Sequence, residues 1–312
     1  MPTPILRTAD TWWVHTPSGA ARIKTDAATT AELLSDRPAI DAAAGSDATL
    51  PVPTLKLVSP VTAPCRVVAQ MTNYASHVID TGKDPETTPL TFFRKASGSI
   101  TGPFGDIVKP THVRLLDYEV EIGLVIGRAM PVGTSITQDN LADYVCGLVV
   151  TNDVSARDVQ LTKTQFYEAK SYPTFTPVGP ALVLVDADEL KRFGDLRLRL
   201  KVNGQTRQDA LVDDDIIYPP VQELQALSRF QRLDPGDLVL TGTPVGTAIS
   251  APAKPAQVVF SLLPAELKWK FFFSRQARNP KYLRNGDVTE ASVATDDGAI
   301  DLGAQRTVVR TT

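Results

Sequence analysis

The chain has 312 residues, of which 43% are hydrophobic and 21% are charged, and its formal net charge is −3. This composition is typical of a soluble globular protein with one large core, or one core and a small appended domain. An acidic balance without a basic tract argues against a nucleic-acid binder. No window approaches the ~18 apolar residues of a membrane span, and no secretory signal is visible, so we expect a cytoplasmic protein.

Residues 1–60 predict a small N-terminal domain. The stretch WWVHTPSGAARIKT indicates a hairpin that turns at residues 17–19, and TTAELLSDR indicates a short helix. The following run, DAAAGSDATLPVPTLKLVSP, is rich in Ala, Ser and Pro and is typical of a linker. We therefore predict a domain boundary near residue 60, with a larger domain at 61–312.

The larger domain reads as a series of short strands. Several apolar or alternating runs are joined by turn signals, and Asn203-Gly204 is a strong signal for a hairpin. Many strands with few helices predict a mainly β fold of the α+β class, largely antiparallel. Helices are expected at 138–144, 155–168 and 219–229. Ser155 and Asp158 fit a capping box for the second of these.

The stretch LDYEVEIG places two carboxylates, Glu119 and Glu121, on the same face of a predicted strand. A solvated strand face is the ordinary explanation for such a pair. Further along the strand, the same face carries Gly123 and Val125, which are small or apolar and suggest a buried face. Buried carboxylates are usually ion-paired or bound to a metal. Asp153 lies in a predicted strand-to-helix elbow. Three carboxylates without a Cys/His cluster suit a hard cation, namely Mg²⁺, Mn²⁺ or Ca²⁺.

Few side chains could serve as an acid or a base. Among the three histidines, His77 has Asp80 three residues on, which on a helix makes them neighbours. A surface His–Asp pair is the plain alternative to a catalytic one. Arg157 and Gln160 are also three residues apart, just beyond Asp153.

Two loops offer further polar groups. Lys170 lies in AKSYPTFTPVGP, a loop interrupted by prolines. The loop LTGTPVGT follows a strand, and its backbone N–H groups and the Thr243 hydroxyl could bind a carboxylate or a phosphate.

These pieces, in this order, resemble the fumarylacetoacetate hydrolase superfamily. The matching motifs are NYASH, FFRKASGSITGP, LDYEVEIGLVIG, GLVVTNDVSARDVQ, KSYPTFTPVGP, PGDLVLTGTPVG and NGDVTEASV. Each motif is weak by itself, but seven in order are a specific signal. The resemblance implies a domain built on a rolled, mixed β-sheet, a small N-terminal domain and a homodimer.

The resemblance also implies roles for individual residues. One divalent cation, typically Mg²⁺, is expected on Glu119, Glu121 and Asp153, while Asp117 is left outside this ligand set. His77 would act as general base with Asp80, on a lid, and Lys170 would complete the catalytic set. The residues expected to bind substrate are Tyr74, Arg157, Gln160 and Thr243.

Three functions follow from this resemblance. The first is metal-dependent hydrolysis of a carbon–carbon bond in a 1,3-diketo or acylpyruvate-type acid, in the breakdown of aromatic or cyclic compounds. The second keeps the site but makes the protein an oxo-acid decarboxylase, a keto–enol tautomerase or a hydratase. The third is a non-catalytic scaffold. The presence of His77 with every candidate ligand argues against the third.

An insertion at 251–284 departs from the family pattern. Its segment LKWKFFFSRQARNPKYLR interleaves aromatic and basic residues. Such a segment can bind membranes or acidic partners. We favour a helix whose aromatic residues pack against the body of the protein or a dimer partner.

Overall fold

The computed structural model of the protein describes residues 2–47, 49–163, 165–249 and 265–312. The strands in these ranges are β1 Thr3–Arg7, β2 Trp12–Thr16, β3 Gly19–Arg22, β4 Thr49–Leu50, β5 Val67–Met71, β6 Thr91–Lys95, β7 Ile100–Thr101, β8 Asp106–Lys109, β9 Leu116–Asp117, β10 Val120–Ile126, β11 Val145–Asn152, β12 Ser155–Ala156, β13 Thr176–Pro177, β14 Leu182–Leu184, β15 Leu196–Val202, β16 Gln205–Leu211, β17 Leu238–Leu240, β18 Val288–Thr295 and β19 Asp301–Thr311. The helices are α1 Thr30–Ser35, α2 Arg37–Ala44, α3 Ala75–Asp80, α4 Leu141–Tyr144, α5 Arg157–Gln160, α6 Ala187–Lys191, α7 Pro220–Ser228 and α8 Ala265–Gln276. The predicted mainly β fold with few helices is confirmed.

The larger sheet is mixed and has ten strands, in the order β4-β3-β2-β1-β14-β11-β10-β17-β5-β6. Strand β10 lies inside this sheet and pairs antiparallel with β11 on one side and β17 on the other. All seven residues of β10 are buried. Because both faces are covered, this strand lacks the polar alternation of a half-exposed strand.

The first four strands extend the same sheet. Strand β1 pairs with β14, with Ile5 opposite Leu182. The buried side chains of Ile5 and Trp12 belong to the same apolar core as Val125 and Val149. The N-terminal region therefore shares both a sheet and a core with the rest of the chain. The domain boundary near residue 60 stays a prediction.

A second sheet has five strands in the order β16-β15-β18-β19-β8. Strands β15 and β16 form the hairpin predicted from the sequence. Its turn residues Asn203 and Gly204 have φ values of 51° and 77°. Asparagine and glycine tolerate this left-handed region better than other residues, which explains why the dipeptide is a hairpin signal. The hairpin expected at residues 17–19 also forms, between β2 and β3.

Helix α7 confirms the helix expected at 219–229, and α4 covers the end of the one expected at 138–144. The helix expected at 155–168 is wrong: among the described residues of that range, only the four-residue helix α5 forms. The Ser155–Asp158 capping box is absent, because the Asp158 carboxylate accepts hydrogen bonds from the backbone N–H groups of Arg114 and Leu115 instead.

Part of the predicted linker is also ordered structure. Its first four residues belong to α2, and residues 49–50 form β4 at the edge of the larger sheet. The Ala-rich composition suits a helix as well as a linker, so composition alone could not separate the two.

The insertion at 251–284 is described only from residue 265 onward, so its earlier part lies outside the described residues. Its helix α8 is followed by a segment that packs on the protein. Phe273 contacts the main core, Tyr282 is buried, and Leu283 forms a β-bridge to Leu116. The predicted packing of the helix aromatics against the body is thus confirmed for Phe273, whereas Phe271 is 52% exposed. No helix in the described part of the chain is long and apolar enough to cross a membrane.

Candidate metal centre

Strand register brings three carboxylates together. Glu121 lies opposite Thr151 in the β10–β11 pair, and the backbone N–H of Asp153 donates to the carbonyl of Glu119, at 2.8 Å. Residues two apart share a face, and residues opposite each other across a ladder share it too. Glu119, Glu121 and Asp153 therefore project to the same side of the sheet.

These three side chains are buried and close. One oxygen atom from each of Glu119, Glu121 and Asp153 lies within 4.8 Å of the other two. Their exposed fractions are 5%, 2% and 0%. The solvated strand face is therefore excluded as the explanation for the Glu119–Glu121 pair.

Three cationic side chains surround the carboxylates. Lys170 Nζ donates to Glu119 and to Asp153. Lys95 Nζ donates to Asp153 and to the carbonyl of Phe175, the latter at 3.0 Å. The third cation is the guanidinium of Arg157.

The guanidinium of Arg157 links several predicted site residues. It donates to Glu119, to Gln160 at 2.8 Å, and to Asp117 at 2.9 Å. Asp117 also accepts from the backbone N–H groups of Ala248 and Ile249, at 2.8 and 3.1 Å. Asp117 thus binds Arg157 and the loop after β17. These contacts give Asp117 a structural role outside the predicted set of metal ligands.

The pKa values of Glu119 and Glu121 are shifted in opposite directions. Burial raises the pKa of Glu119, but the charges of Arg157 and Lys170 outweigh burial and hold that pKa well below its usual range. Burial also raises the pKa of Glu121, and the neighbouring carboxylates of Asp153 and Glu119 raise it further. Glu121 forms no ion pair with the cations of the described residues. It accepts one hydrogen bond, from the backbone N–H of Gly242, at 2.8 Å.

The residues present fit a divalent cation. Four buried carboxylates, including Asp117, face three buried cations, which leaves one negative charge in excess. The excess falls on Glu121, beside the carboxylates of Glu119 and Asp153, whose oxygen atoms each accept one hydrogen bond and keep a second lone pair. Oxygen donors of this kind are preferred by Mg²⁺, Mn²⁺ and Ca²⁺. Glu119, Glu121 and Asp153 are the residues that would hold such an ion.

His77 lies near this cluster, but its predicted partner does not contact it. His77 is 6% exposed, and its Nδ1 has no hydrogen-bond partner in the described part of the chain. Burial lowers the pKa of His77, while the nearby charge of Glu119 raises it in part. Asp80 is half-buried on the same helix and forms no hydrogen bond to His77. The expected His77–Asp80 pair is therefore not formed, because the imidazole is turned into the protein and Asp80 is not.

The remaining predicted residues line the same region. The Thr243 hydroxyl donates to the carbonyl of Val120 at 2.9 Å and accepts from Gln208 at 2.8 Å. The Thr243 hydroxyl proton is thus already engaged in the hydrogen bond to Val120. Tyr74 is fully buried, and burial followed by the charge of Glu121 raises the pKa of its hydroxyl.

Two residues of this region were missed from the sequence. Lys95 ends strand β6 as the last residue of FFRK, and a lysine at the end of a predicted strand is a sequence signal that would be informative only if the strand is buried, where a lysine needs a partner. Asp215 holds the start of α3: its carboxylate accepts from the backbone N–H of Ser76 at 2.6 Å. No sequence signal connects Asp215 with α3, which lies 139 positions earlier.

Comparison with known proteins identifies relatives over most of the chain. A family model for the C-terminal domain of fumarylacetoacetate (FAA) hydrolase matches residues 66–310. The protein is similar to "Oxaloacetate tautomerase Fahd2a, mitochondrial" of Rattus norvegicus, with 34% identity over 201 residues, or 64% of this chain and 62% of that protein. It is also similar to "Oxaloacetate tautomerase YisK" of Bacillus subtilis (strain 168), with 35% identity over 198 residues, or 62% of this chain and 63% of that protein.

Similar solved structures cover the whole chain, and two of them illustrate the degree of likeness. A "probable 2-hydroxyhepta-2,4-diene-1,7-dioate isomerase" from Mycobacterium abscessus has a TM-score of 0.75 and 29% identity, over 100% of this chain and 99% of that one. A fumarylacetoacetate hydrolase from Exiguobacterium antarcticum has a TM-score of 0.71 and 26% identity, over 100% of both chains.

The fold and the buried acidic triad define a β-rich protein with a candidate site for a divalent metal. The chain belongs to the fumarylacetoacetate hydrolase family. The resemblance predicted from the seven motifs is thereby confirmed. The match spans 62–63% of the length of the two tautomerases, less than two thirds of either.

Proposed function

We propose that the protein is a divalent-metal-dependent tautomerase or isomerase of a small 2-oxo acid. One ion, Mg²⁺ in preference to Mn²⁺ or Ca²⁺, is held by Glu119, Glu121 and Asp153. Two relatives at 34–35% identity are named oxaloacetate tautomerases, and a structural neighbour at 29% is named an isomerase. These names favour the second function considered from the sequence over hydrolysis of a carbon–carbon bond.

The observation that carries the proposal is the state of His77. Its imidazole is buried, burial lowers its pKa and so favours the neutral form, and its Nδ1 has no hydrogen-bond partner among the described residues. A neutral imidazole with a free nitrogen can accept and return one proton. Activation of a water for hydrolysis would benefit from a carboxylate partner on the imidazole, and Asp80 does not provide one here.

Keto–enol exchange needs only this proton transfer. A base removes a proton from the carbon next to the carbonyl, the C–H electron pair forms the C=C bond, and the carbonyl oxygen receives a proton. A bound divalent ion would supply Lewis-acid polarisation of the carbonyl oxygen. His77 is the residue we assign to the proton transfer.

Charged side chains position the substrate and the acidic triad. Lys170 and Arg157 hold Glu119 in place through short ion pairs, which keeps this carboxylate deprotonated for an ion. Gln160 accepts a hydrogen bond from the Arg157 guanidinium, which holds the Gln160 side chain beside Arg157. We assign Tyr74, Arg157, Gln160 and Thr243 to substrate binding, with Thr243 acting through its main chain because its hydroxyl is engaged.

The test follows the absorbance of enol oxaloacetate mixed with the purified protein. Relative to the same solution without protein, we expect faster loss of the enol signal with Mg²⁺ or Mn²⁺ than with EDTA, and no additional release of pyruvate or CO₂. The variant His77→Asn should lower the rate by about 100-fold or more, since general acid–base catalysis contributes 10²–10⁴-fold.

Asp80→Asn is the matched control, on the same helix. It should leave the rate within about twofold, because Asp80 does not contact the imidazole in this structure. An equal loss in both variants would show that the pair forms during the reaction and would favour hydrolysis. A His77→Asn variant as active as the natural protein would overturn the proposed role of His77.

Hydrolysis of an acylpyruvate-type acid is the second candidate. It is supported by the structural likeness to a protein named fumarylacetoacetate hydrolase. Analysis of products separates the candidates: two carbon fragments indicate hydrolysis, CO₂ indicates decarboxylation, and an unchanged molecular formula indicates tautomerisation or isomerisation.

Assembly and location stay predictions. A homodimer is implied by the family resemblance, and light scattering of the purified protein measures it. The cytoplasmic location inferred from the sequence is also untested, and one relative is named mitochondrial.

A further inference from the structure

A cavity of about 270 Å³ lies away from the metal centre, between the N-terminal strands and the loop after β6. Arg7 from β1, Ser59 and Thr62 from the segment after β4, and Thr101 from β7 line it. Strand β1 is three positions from β10 in the larger sheet, so at about 4.8 Å per strand the two are roughly 14 Å apart.

Among the described residues that line this cavity, Arg7 is the only charged one, and none of them is a carboxylate. Its guanidinium lies over the ring of Trp12, 5.2 Å from the centroid. One of its N–H groups donates to the carbonyl of Ser59 at 3.3 Å, and Arg7 has no ion pair among the described residues. A guanidinium has five N–H donors, so most of them are free to bind a ligand.

The surroundings of Arg7 hold it in this position. Arg7 and Trp12 are opposite each other in the β1–β2 ladder, and the Trp12 indole N–H donates to the carbonyl of Ala27 at 2.8 Å. Burial of the half-exposed Arg7 lowers its pKa, so the charge is partly desolvated, yet an arginine stays protonated. A partly desolvated cation without a counter-ion attracts an anion more strongly than a fully hydrated one.

A second donor is available beside Arg7. The Thr101 hydroxyl makes no hydrogen bond within the described ranges, whereas the Ser59 and Thr62 hydroxyls are bonded to neighbouring groups of the protein. A planar guanidinium and a hydroxyl across a small polar cavity match an oxyanion. The cavity volume allows an anion larger than one water, whose share of liquid volume is about 30 Å³.

We propose that this cavity is a second binding site, for a small oxyanion with a carboxylate or phosphate group, held by Arg7 and Thr101. It is separate from the acidic triad, which attracts cations, and does not depend on the reaction assigned to His77. Its ligand would bind next to the N-terminal strands.

The test titrates sodium sulfate and sodium acetate into the full-length protein with Mg²⁺ present, at constant ionic strength set by chloride. Calorimetry measures binding, and tryptophan fluorescence reports it because Trp12 lies under Arg7. We expect saturable binding in the natural protein. Arg7→Gln should weaken it by about tenfold or more, the scale of one charge-assisted bidentate contact, and Thr101→Val by a smaller factor.

Matched controls separate this site from others. Arg22→Gln removes an exposed arginine from β3, in the same part of the sheet, and should leave binding unchanged. Glu121→Gln changes the metal centre and should also leave it unchanged. Tighter binding of sulfate would identify a phosphate-type ligand, and tighter binding of acetate a carboxylate.

The proposal is overturned if neither anion saturates the natural protein, if Arg7→Gln binds both anions as the natural protein does, or if Glu121→Gln abolishes binding. Far-ultraviolet circular dichroism shows whether Arg7→Gln is folded. Thr101→Val, which removes one hydroxyl from an edge of the cavity, tests the same site if Arg7→Gln does not fold.

Discussion

Glu119 and Glu121 lie two residues apart, yet their surroundings differ. Glu119 is held by Arg157 and Lys170, whereas Glu121 accepts a hydrogen bond only from the Gly242 N–H among the described residues and is repelled by the neighbouring carboxylates. Glu119 therefore contributes to the charge balance of the metal-free protein, whereas Glu121 destabilises the metal-free protein until a cation binds.

Substituting each glutamate by glutamine should have opposite effects on stability without metal. Glu119→Gln leaves two buried cations short of a partner and should lower the free energy of unfolding by about 3 kcal/mol or more. Glu121→Gln removes a repelled charge and keeps an oxygen for the Gly242 N–H, so it should raise stability by about 1 kcal/mol.

Urea unfolding in EDTA measures both changes, and both variants should lose the increase in melting temperature that Mg²⁺ produces in the natural protein. The same Mg²⁺ shift in Glu121→Gln as in the natural protein would contradict its role as a ligand.

Glu223 on α7 is a buried acid outside the metal centre. It is fully buried, neither carboxylate oxygen has a hydrogen-bond partner in the described part of the chain, and burial raises its pKa well above 4.5. An acid whose pKa is higher in the folded than in the unfolded protein stabilises the fold below the unfolded pKa. This contribution is lost as the pH rises through the folded pKa.

Glu223→Gln should therefore remove a pH dependence of stability. Near pH 4 the variant and the natural protein should unfold at similar urea concentrations. At pH 8 the variant should be more stable by about 1–3 kcal/mol, the cost of an unsatisfied buried group. A difference that does not change between these pH values would contradict the buried, unpaired state of Glu223.

Helix α3 carries His77, and its beginning is fixed to a distant turn. The Asp215 carboxylate accepts hydrogen bonds from the Ser76 N–H and hydroxyl, and the Asp215 carbonyl accepts from the Ala75 N–H at 2.8 Å. A carboxylate at a helix N-terminus also interacts favourably with the helix dipole. Asp215 therefore positions α3, and through it the imidazole.

Asp215→Ala should lower kcat of the proposed reaction by about 10–100-fold, because small displacements of a reacting group have effects of this size. The Mg²⁺-induced rise in melting temperature should persist, since the acidic triad is not on α3. Asp214→Asn, an exposed neighbour, is the control and should retain full activity. Loss of the Mg²⁺ effect in Asp215→Ala would indicate general unfolding instead of a positioning role.

At the scale of the whole molecule, the N-terminal strands are part of the larger sheet. Removing residues 1–60 would expose the edge of β14 and the apolar side chains that face Ile5 and Trp12. Unpaired sheet edges and exposed core promote aggregation. We expect a fragment of residues 61–312 to be insoluble or to lack a cooperative unfolding transition. A soluble, cooperatively unfolding fragment would confirm the domain boundary predicted near residue 60.

Local signals predicted much of the fold. The positive φ values that Asn203 and Gly204 tolerate predicted the β15–β16 hairpin, and α7 formed within the helix expected at 219–229. The helix expected at 155–168 failed because the Asp158 carboxylate bonds to the chain before β9. That contact joins positions more than 40 apart, and no local pattern reports it.

By itself, the sequence determined which side chains share a face. Alternation along a strand has a period of two, so Glu119 and Glu121 had to project together wherever that strand lay. Only the tertiary structure decided that this face is buried, that Asp153 joins it, and that Lys95 and Lys170 balance its charge. These contacts depend on strand register and on chain segments that are distant in sequence. Alternation specifies the direction of a side chain, but what lies in that direction is set by how the sheets pack.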